Sequence, residues 1–300
     1  MPFKGFNIKY PEYEVVTPQT HLSFSVRSLS VSEEEKLKGS LMTPSKITEH
    51  LNKCLYESCV QKPENITDYK SFLNSITLKD RDSILYGLYH ITYEEIRNYD
   101  IRCSNCKKEY PITVKASSMF NYNSYPAENG EILNKKIKVE LPVSKGVFAY
   151  IKQPSLAEEE EAIKNLASTP GLTIEMITET LIVDKFEQMP EVVLKPVPGK
   201  ASKKSSEKDT IAEPILDPNA PAIMEKTTID GITYENRQDI IDAYRSLPAM
   251  DKRTIYEKYN EEFGKFGIEL KVKTFCAHCG YEEVVKIDLV ENFFRMVYSS

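Results

Sequence analysis

Apolar side chains recur along this chain at two periods, and the change from one to the other marks out its elements. Ile47, Leu51 and Leu55 fall four residues apart, and Ile84, Leu85 and Leu88 make a second stripe, as do Ile255, Tyr256 and Tyr259. Stripes at that spacing give a helix one apolar face to bury. The other period is two. It runs through "EYPITVK", Glu109 to Lys115, and again after Cys279 in "GYEEVVKIDLV", and such alternation predicts strands with one face buried. Extended stretches rich in β-branched and aromatic residues lead into two acidic segments, Ser30 to Glu35 and Ser155 to Glu160. Ser30 with Glu33 and Ser155 with Glu158 have capping-box spacing, in which both side chains satisfy orphaned helix amides, so each segment predicts a helix start. Asp80 and Asp251 open later helices, where a carboxylate complements the helix dipole. The mixture predicts a helix-rich α+β fold.

The pattern occurs twice. "FSVRSLSVSEEEKLK" resembles "AYIKQPSLAEEEEAIK", with Val26, Arg27, Val31 and Glu33 recurring 125 positions later as Ile151, Lys152, Leu156 and Glu158. Thr43, Pro44, Leu51 and Leu55 recur 126 positions later as Thr169, Pro170, Ile177 and Leu181. Ser75, Asp80 and Ile84 recur 171 positions later as Ser246, Asp251 and Ile255. A fixed order of matches is the mark of a tandem duplication, and the jump in offset places an insertion in the second copy. The expected organisation is a first repeat over 1–125 and a second over 126–300. The insertion, Met189 to Ala222, is rich in Pro, Ser, Lys and Glu and lacks aromatics and periodicity, which predicts an exposed loop or flexible tether. Its "KASKKSSEK" core reads as a solvated linker rather than an anion site. Each repeat reads as strands, an acidic helix, two further helices, a Cys-x-x-Cys turn, a strand and an aromatic close at Met119-Phe120 or Phe293-Phe294.

Composition narrows the classes of function. Over 300 residues, 41% hydrophobic and 28% charged side chains describe a globular chain of about two domains. A net charge of −6 gives no electrostatic reason to expect nucleic acid or an acidic membrane as principal partner. The start, "MPFKGFNIKYPEYE", has neither the basic end nor the apolar core of a signal peptide, and no apolar run approaches a bilayer span. A reducing cytoplasm is therefore the expected place of synthesis. Six cysteines are too few there for a disulfide scaffold. Cys54 and Cys59 continue the helical pattern of Ile47, Leu51 and Leu55 and read as buried structural thiols.

The other four cysteines form two turns, "RCSNCKK" with Cys103 and Cys106 and "FCAHCGY" with Cys276 and Cys279. Two residues between cysteines let both thiolates and the amides behind them converge on one metal, but each turn supplies only half of a tetrahedral site. A thioredoxin-like pair would open a helix that lowers a thiol pKa, and both turns here precede strands, so redox chemistry is the poorer reading. Two turns at equivalent places in a duplicated chain suggest one shared structural Zn2+ on Cys103, Cys106, Cys276 and Cys279. The alternatives are turns completed by another subunit and metal-free thiols. His278 sits between two of the cysteines and is a substitute ligand only if it turns inward. A closed four-thiolate site has no open position for substrate, and the chain carries no glycine-rich phosphate loop, nucleophile elbow or metal-hydrolase helix. The acidic runs read as solvated helix faces, and the 18 tyrosines fit a binding surface or ordinary packing. No enzymatic role is expected. A zinc-ribbon nucleic-acid binder is the alternative function, resting on Lys107, Lys108 and Lys115 and opposed by Glu282 and Glu283.

With "FSVRSLSVSEEEKL", "ITEHLNKCL", "LKDRDSILYGLYHITYEE", "IRCSNCKKEYPITV" and "FCAHCGYEEVVKIDLVENFF" in this order, the chain resembles the baseplate hub protein family of T-even-type contractile-tailed bacteriophages. The resemblance implies a structural or assembly role in the phage tail baseplate, with other tail and baseplate proteins as partners. It implies a place in the virion, after assembly in the host cytoplasm. It brings no catalytic residues, and the positions it marks are the same four cysteines.

Overall fold

A computed structural model describes residues 9–40, 44–93, 96–126, 131–166, 169–196, 224–229, 231–290, 293–294 and 297. Strands β1 (Glu12–Val16) and β2 (Ser23–Arg27) lead to helices α1 (Val31–Ser40) and α2 (Pro44–Ser58), strand β3 (Cys59–Gln61), and helices α3 (Tyr69–Ser75) and α4 (Leu78–Thr92). The hairpin β4 (Ile96–Arg102) and β5 (Glu109–Lys115) carries the first cysteine turn and is followed by α5 (Ala116–Met119) and β6 (Phe120–Asn123). Next come α6 (Glu131–Asn134), β7 (Lys136–Glu140), β8 (Val147–Lys152), α7 (Leu156–Leu166), α8 (Ile174–Thr180) and β9 (Val183–Gln188). Strands β10 (Glu191–Pro196), β11 (Met224–Ile229) and β12 (Ile232–Tyr234) precede α9 (Arg237–Ser246) and α10 (Ala249–Tyr259). A π-turn (Asn260–Gly264) and the hairpin β13 (Gly267–Phe275) and β14 (Glu282–Ile287), with the second cysteine turn, complete the order. The fold is mixed α+β, as the two apolar periods predict.

The helix starts follow their caps. The Ser30 amide donates to Glu33 at 2.8 Å, and around Ser155 both arms of the box form, Ser155 N–H to Glu158 at 3.0 Å and Glu158 N–H to Ser155 Oγ at 3.4 Å. In α4 the Thr77 hydroxyl and the Asp80 carboxylate cap each other's amides, which makes Asp80 half of a capping box as well as a dipole partner. The sequence reading has two helices after each acidic one, and the chain makes three. The missed helices are α3, which is short and capped by Asp68 with Ser71, and α9, whose N-cap is Asn236.

Five antiparallel sheets form among the described residues. One has the order β1-β2-β3, with a register shift between Ser25 and Val26. Another has the order β12-β9-β8-β7, with a shift between Tyr150 and Ile151. The third, β14-β13-β6, joins the C-terminal hairpin to a strand of the N-terminal half, while β4-β5 stands as a two-stranded hairpin. In the fifth, β10-β11, Glu191 to Pro196 pairs residue for residue with Ile229 to Met224, so the expected tether begins as a strand. The rest of the expected tether, 197–222, lies outside the described residues.

The larger core gathers Val15, Phe24, Val26, Phe72, Ile84, Leu85 and Leu88 with Leu270, Leu289, Phe293 and Val297 from the far end of the chain. Helix α4 is covered by β1–β2 on one side and approached by β13 on another, so all three residues of its predicted stripe are fully buried. The α10 stripe is narrower than predicted. Ile255 and Tyr259 are buried, but Tyr256 is 60% exposed, since a residue one step along a helix turns about 100° away. A second core holds Ala149, Ile151, Val183, Phe186, Ile240, Tyr244, Ile255 and Phe263. Cys54 lies on α2 as expected, whereas Cys59 has left the helix and opens β3; both are buried, and burial pushes each thiol up to about 12.

Polar contacts tie the halves together. Helix α7 lies against α2 and α3, where the Glu160 carboxylate accepts from Asn52 at 2.9 Å and Tyr69 at 2.6 Å, and Glu159 pairs with Arg81 of α4. The π-turn leaves carbonyls without an ordinary helical donor, and the buried Gln19 side chain donates through Nε2 to those of Phe263 and Phe266 at 2.9 and 3.1 Å.

Candidate metal centre

The two cysteine turns are built alike. Antiparallel strands β4–β5 and β13–β14 hold the ends of each turn, and the Cys103 and Cys276 amides each close a bond of 2.9 Å to the carbonyl five residues on, at Lys108 and Tyr281. The carbonyls of the same cysteines accept from Lys107 at 3.0 Å and Gly280 at 2.8 Å. These two donors adopt left-handed backbone, with φ of 62° at Lys107 and 70° at Gly280. Glycine adopts that conformation without a Cβ clash and lysine does not, so the first turn carries local strain that the second lacks.

The fold sets the turns face to face. Cys103 Sγ lies 3.7 Å from Cys279 Sγ, Cys106 Sγ lies 3.6 Å from Cys276 Sγ, and all four sulfurs fall within 4.8 Å of one another. Thiolates at about 2.3 Å from a tetrahedral metal stand about 3.8 Å from each other. The observed separations fit that geometry and are far from the roughly 2 Å of a disulfide bond. The structure thus brings together all four cysteines named from spacing, and their chemistry and placement fit a metal ion. Cys103 and Cys276 are buried against the larger core, Cys106 is half-buried and Cys279 is exposed, so the cluster sits at an edge with one side toward solvent.

Amides aimed at the sulfurs prepare them for negative charge. Cys106 N–H points at Cys103 Sγ at 3.5 Å, His278 N–H at Cys276 Sγ at 3.4 Å, and the Asn105 side-chain amide at Cys279 Sγ at 3.8 Å. The Tyr281 amide and the neighbouring thiols hold the Cys279 thiol down to about 6. Cys103 goes the other way. Against the pull of the Cys106 amide, desolvation and the adjacent thiols push it up to about 11. Four thiols so close together cannot all ionise unaided, and a divalent cation is what would deprotonate the set.

A surrounding layer crosses from one turn to the other. Glu283 accepts from the Ser104 amide at 3.2 Å and from the Tyr110 hydroxyl at 3.3 Å, and His278 Nε2 meets the Glu109 carbonyl at 3.0 Å. His278 is therefore occupied by the opposite strand rather than turned onto the sulfurs. Sequence reading missed Glu283, taking it as a charge opposing the knuckle lysines. No spacing links 283 to 104, and only the meeting of the hairpins reveals the contact. The lysines of the second hairpin are neutralised locally, Lys271 and Lys286 by Glu269 and Lys273 by Glu282, while Lys107 Nζ donates to the Ser104 carbonyl at 2.6 Å.

No helix among the described residues is long and apolar enough to cross a membrane. No curated protein and no solved structure matches the chain. A family model described as T4 bacteriophage base plate protein does match, over residues 10–295, which takes in both cysteine turns and nearly all of both cores. The chain therefore belongs to the T4 bacteriophage base plate protein family, and with it to the structural proteins of the virion tail.

Proposed function

We propose that the protein is a structural or assembly component of the baseplate, without catalytic turnover, in which one structural Zn2+ on Cys103, Cys106, Cys276 and Cys279 ties two repeats together. Other tail and baseplate proteins are its partners, and assembly takes place in the host cytoplasm. The observation that carries the metal reading is the sulfur geometry, 3.6 and 3.7 Å between cysteines of opposite turns. All-thiolate tetrahedral ligation favours Zn2+ over harder cations. A site of this kind is closed, so the metal supplies cross-linking and folding free energy rather than Lewis-acid chemistry.

Several correspondences support the repeat reading. The β1-β2-β3 and β7-β8-β9 pairings share order, and their register shifts fall 125 residues apart. Arg27 pairs with Glu33 as Lys152 pairs with Glu158. Asp80 accepts from the Gln19 amide at 2.8 Å and from Thr20 at 2.8 Å, and Asp251 accepts from the Val143 and Ser144 amides at 2.8 and 2.9 Å. In both cases an early residue of the later helix fastens the loop between the first two strands.

Metal analysis of the purified chain tests the proposal. One equivalent of zinc per chain is expected, with the whole equivalent lost from both Cys103→Ser and Cys276→Ser. Half the metal lost from each variant would instead mean two independent sites, and a stably folded chain purified without metal would refute the staple.

A further inference from the structure

Val31 and Leu156 hold the same place in the two halves, 125 residues apart, each the first residue of an acidic helix behind a capping serine. Their surroundings are opposite. Leu156 is fully buried and Val31 is 72% exposed. What buries Leu156 is the turn between α3 and α4, where its amide donates to the Ile76 carbonyl at 2.9 Å and Ser155 forms an isolated antiparallel bridge with Thr77. One helical turn on, Glu159 is paired with Arg81. This is a plug-and-socket contact: an apolar side chain and an amide enter the turn, and a carboxylate behind them meets a cation.

The same socket occurs 171 residues later. Leu247 and Pro248 connect α9 to α10 and Ala249 and Met250 open α10, as Ile76 and Thr77 connect α3 to α4 and Leu78 and Lys79 open α4, and Lys252 stands where Arg81 stands. Ile76 and Thr77 are fully buried, whereas Pro248 and Ala249 are exposed and Met250 is 60% exposed. Val143, whose amide is bonded to the adjacent Asp251, adds another exposed apolar side chain at 53%. The apolar tip of the matching plug, Val31, is open as well. Along α1, Val31 and Glu34 replace the Leu156 and Glu159 that α7 buries, Glu35 replaces the half-buried Glu160, and α1 keeps its acidic charge opposite in sign to Lys252. Glu34 accepts from Tyr93, and Lys252 donates to the Arg245 carbonyl and lies 5.2 Å from the centre of the Tyr244 ring, so the new pairing is made in competition with these contacts.

We propose that the open plug of one copy fills the open socket of a second copy, Val31 entering beside Leu247 and Met250 and Glu34 meeting Lys252. This rests on the repeat reading. The intramolecular contact of α7 is the template, and the complementary charge of Glu34 and Lys252 selects a second copy as occupant. Plug and socket are different surfaces, so the contact is heterologous: each added copy exposes a new plug and a new socket, and the assembly closes into a ring or grows as its rotation per step dictates.

Sedimentation of the full metal-loaded chain over rising concentration is the test. The weight-average mass climbs above 34.4 kDa. Val31→Asp and Met250→Asp each weaken association about tenfold or more, as for a central apolar anchor. Glu34→Lys and Lys252→Glu each weaken it alone, and mixing the two restores wild-type association, because each plug then meets a socket of opposite charge. Each variant is first shown to keep wild-type far-UV circular dichroism and metal content. A wild-type chain that stays monomeric to about 100 μM overturns the proposal. So does association that Val31→Asp leaves unchanged, a mixture no better than its components, or filling of the socket by a different baseplate protein alone. Metal content reads the cysteine turns and sedimentation reads α1 and the α9–α10 turn, so the two readings fail separately.

Discussion

Replacing Arg81 with methionine tests how firmly α7 is held against the N-terminal half. The Arg81 and Glu159 side chains are 13% and 7% exposed, so the pair is shielded from water and from salt screening. Deleting one member of a buried pair leaves the other charge desolvated and uncompensated, which costs about 3–5 kcal/mol. The lower end applies here. Arg81 engages Glu159 through Nη1, while its Nε is buried without a partner, so the pair lacks the bidentate geometry of the strongest guanidinium–carboxylate contacts. A loss of about 3 kcal/mol corresponds to a fall in Tm of about 6 °C for a chain of this size. Methionine at both 81 and 159 removes both desolvation costs and is expected within about 1–2 kcal/mol of wild type.

Urea unfolding of the wild type, both single variants and the double variant completes the cycle. The expected coupling is at least about 2 kcal/mol. An Arg81→Met loss below about 1 kcal/mol, or single effects that simply add, would refute the reasoning, because either result means that water reaches the pair.

The cysteine turns carry opposite backbone predictions: Gly280→Ala, with φ of 70°, costs about 1–2 kcal/mol, whereas Lys107→Gly, with φ of 62°, is neutral or stabilising in urea titrations. Gly87→Ala costs about 1–3 kcal/mol by the same assay, since an added Cβ meets Val15 Cγ2 at 2.5 Å where α4 crosses β1. Acid reads the Arg27–Glu33 pair. The Arg27 guanidinium, 2.6 Å away, with the Ser30 amide and hydroxyl, depresses the Glu33 carboxyl to about 2 from its usual 4.5. Its stabilisation is therefore complete above about pH 4.5 and lost as pH falls toward 2; after discounting for solvent it amounts to about 1 kcal/mol. Glu33→Gln should flatten the urea midpoint over that window, and an unchanged slope would count against the pair.

What was legible in the sequence was local or recurred along it. Cys-x-x-Cys fixes a turn, Ser-x-x-Glu fixes a helix start, and the recurrence of both turns supplied a reason for Cys103 to meet Cys279. What was not legible depends on contacts with no sequence spacing of their own. Glu283 is placed by its register opposite Thr274, and its reach to Ser104 follows only once the hairpins face each other. Strands β10 and β11 were hidden for a related reason: "EVVLKP" and "MEKTTI" lack clean alternation, and each is a strand because the other is beside it. Short α3 offers too few turns for periodicity to register, although the Asp68–Ser71 cap was there to be read, whereas α9 was legible in its Asn236 cap and its Ile240, Ile241 and Tyr244 stripe.

The halves are joined in several unlike ways, and that limits what a metal at the thiols controls. Helix α7 is docked by buried polar contacts, β6 pairs with β13 from Phe120–Leu270 to Asn123–Gly267, and the sulfurs meet at the opposite end of β13, beyond Phe275. The strand is thus clamped to the N-terminal half at Gly267–Leu270 whether or not the thiolates are bridged. Removing the metal should free the turns over Cys103–Lys108 and Cys276–Tyr281, whose amides then exchange faster with solvent, while amides of Ile268 and Leu270 stay protected because their pairing partners do not move. Chelation that exposes the β6–β13 ladder as quickly as the turns would show that the staple governs the whole junction. Confinement to the turns would make it the lock on two hairpin ends, holding rigid an edge where Phe275, Tyr281 and Val284 face solvent.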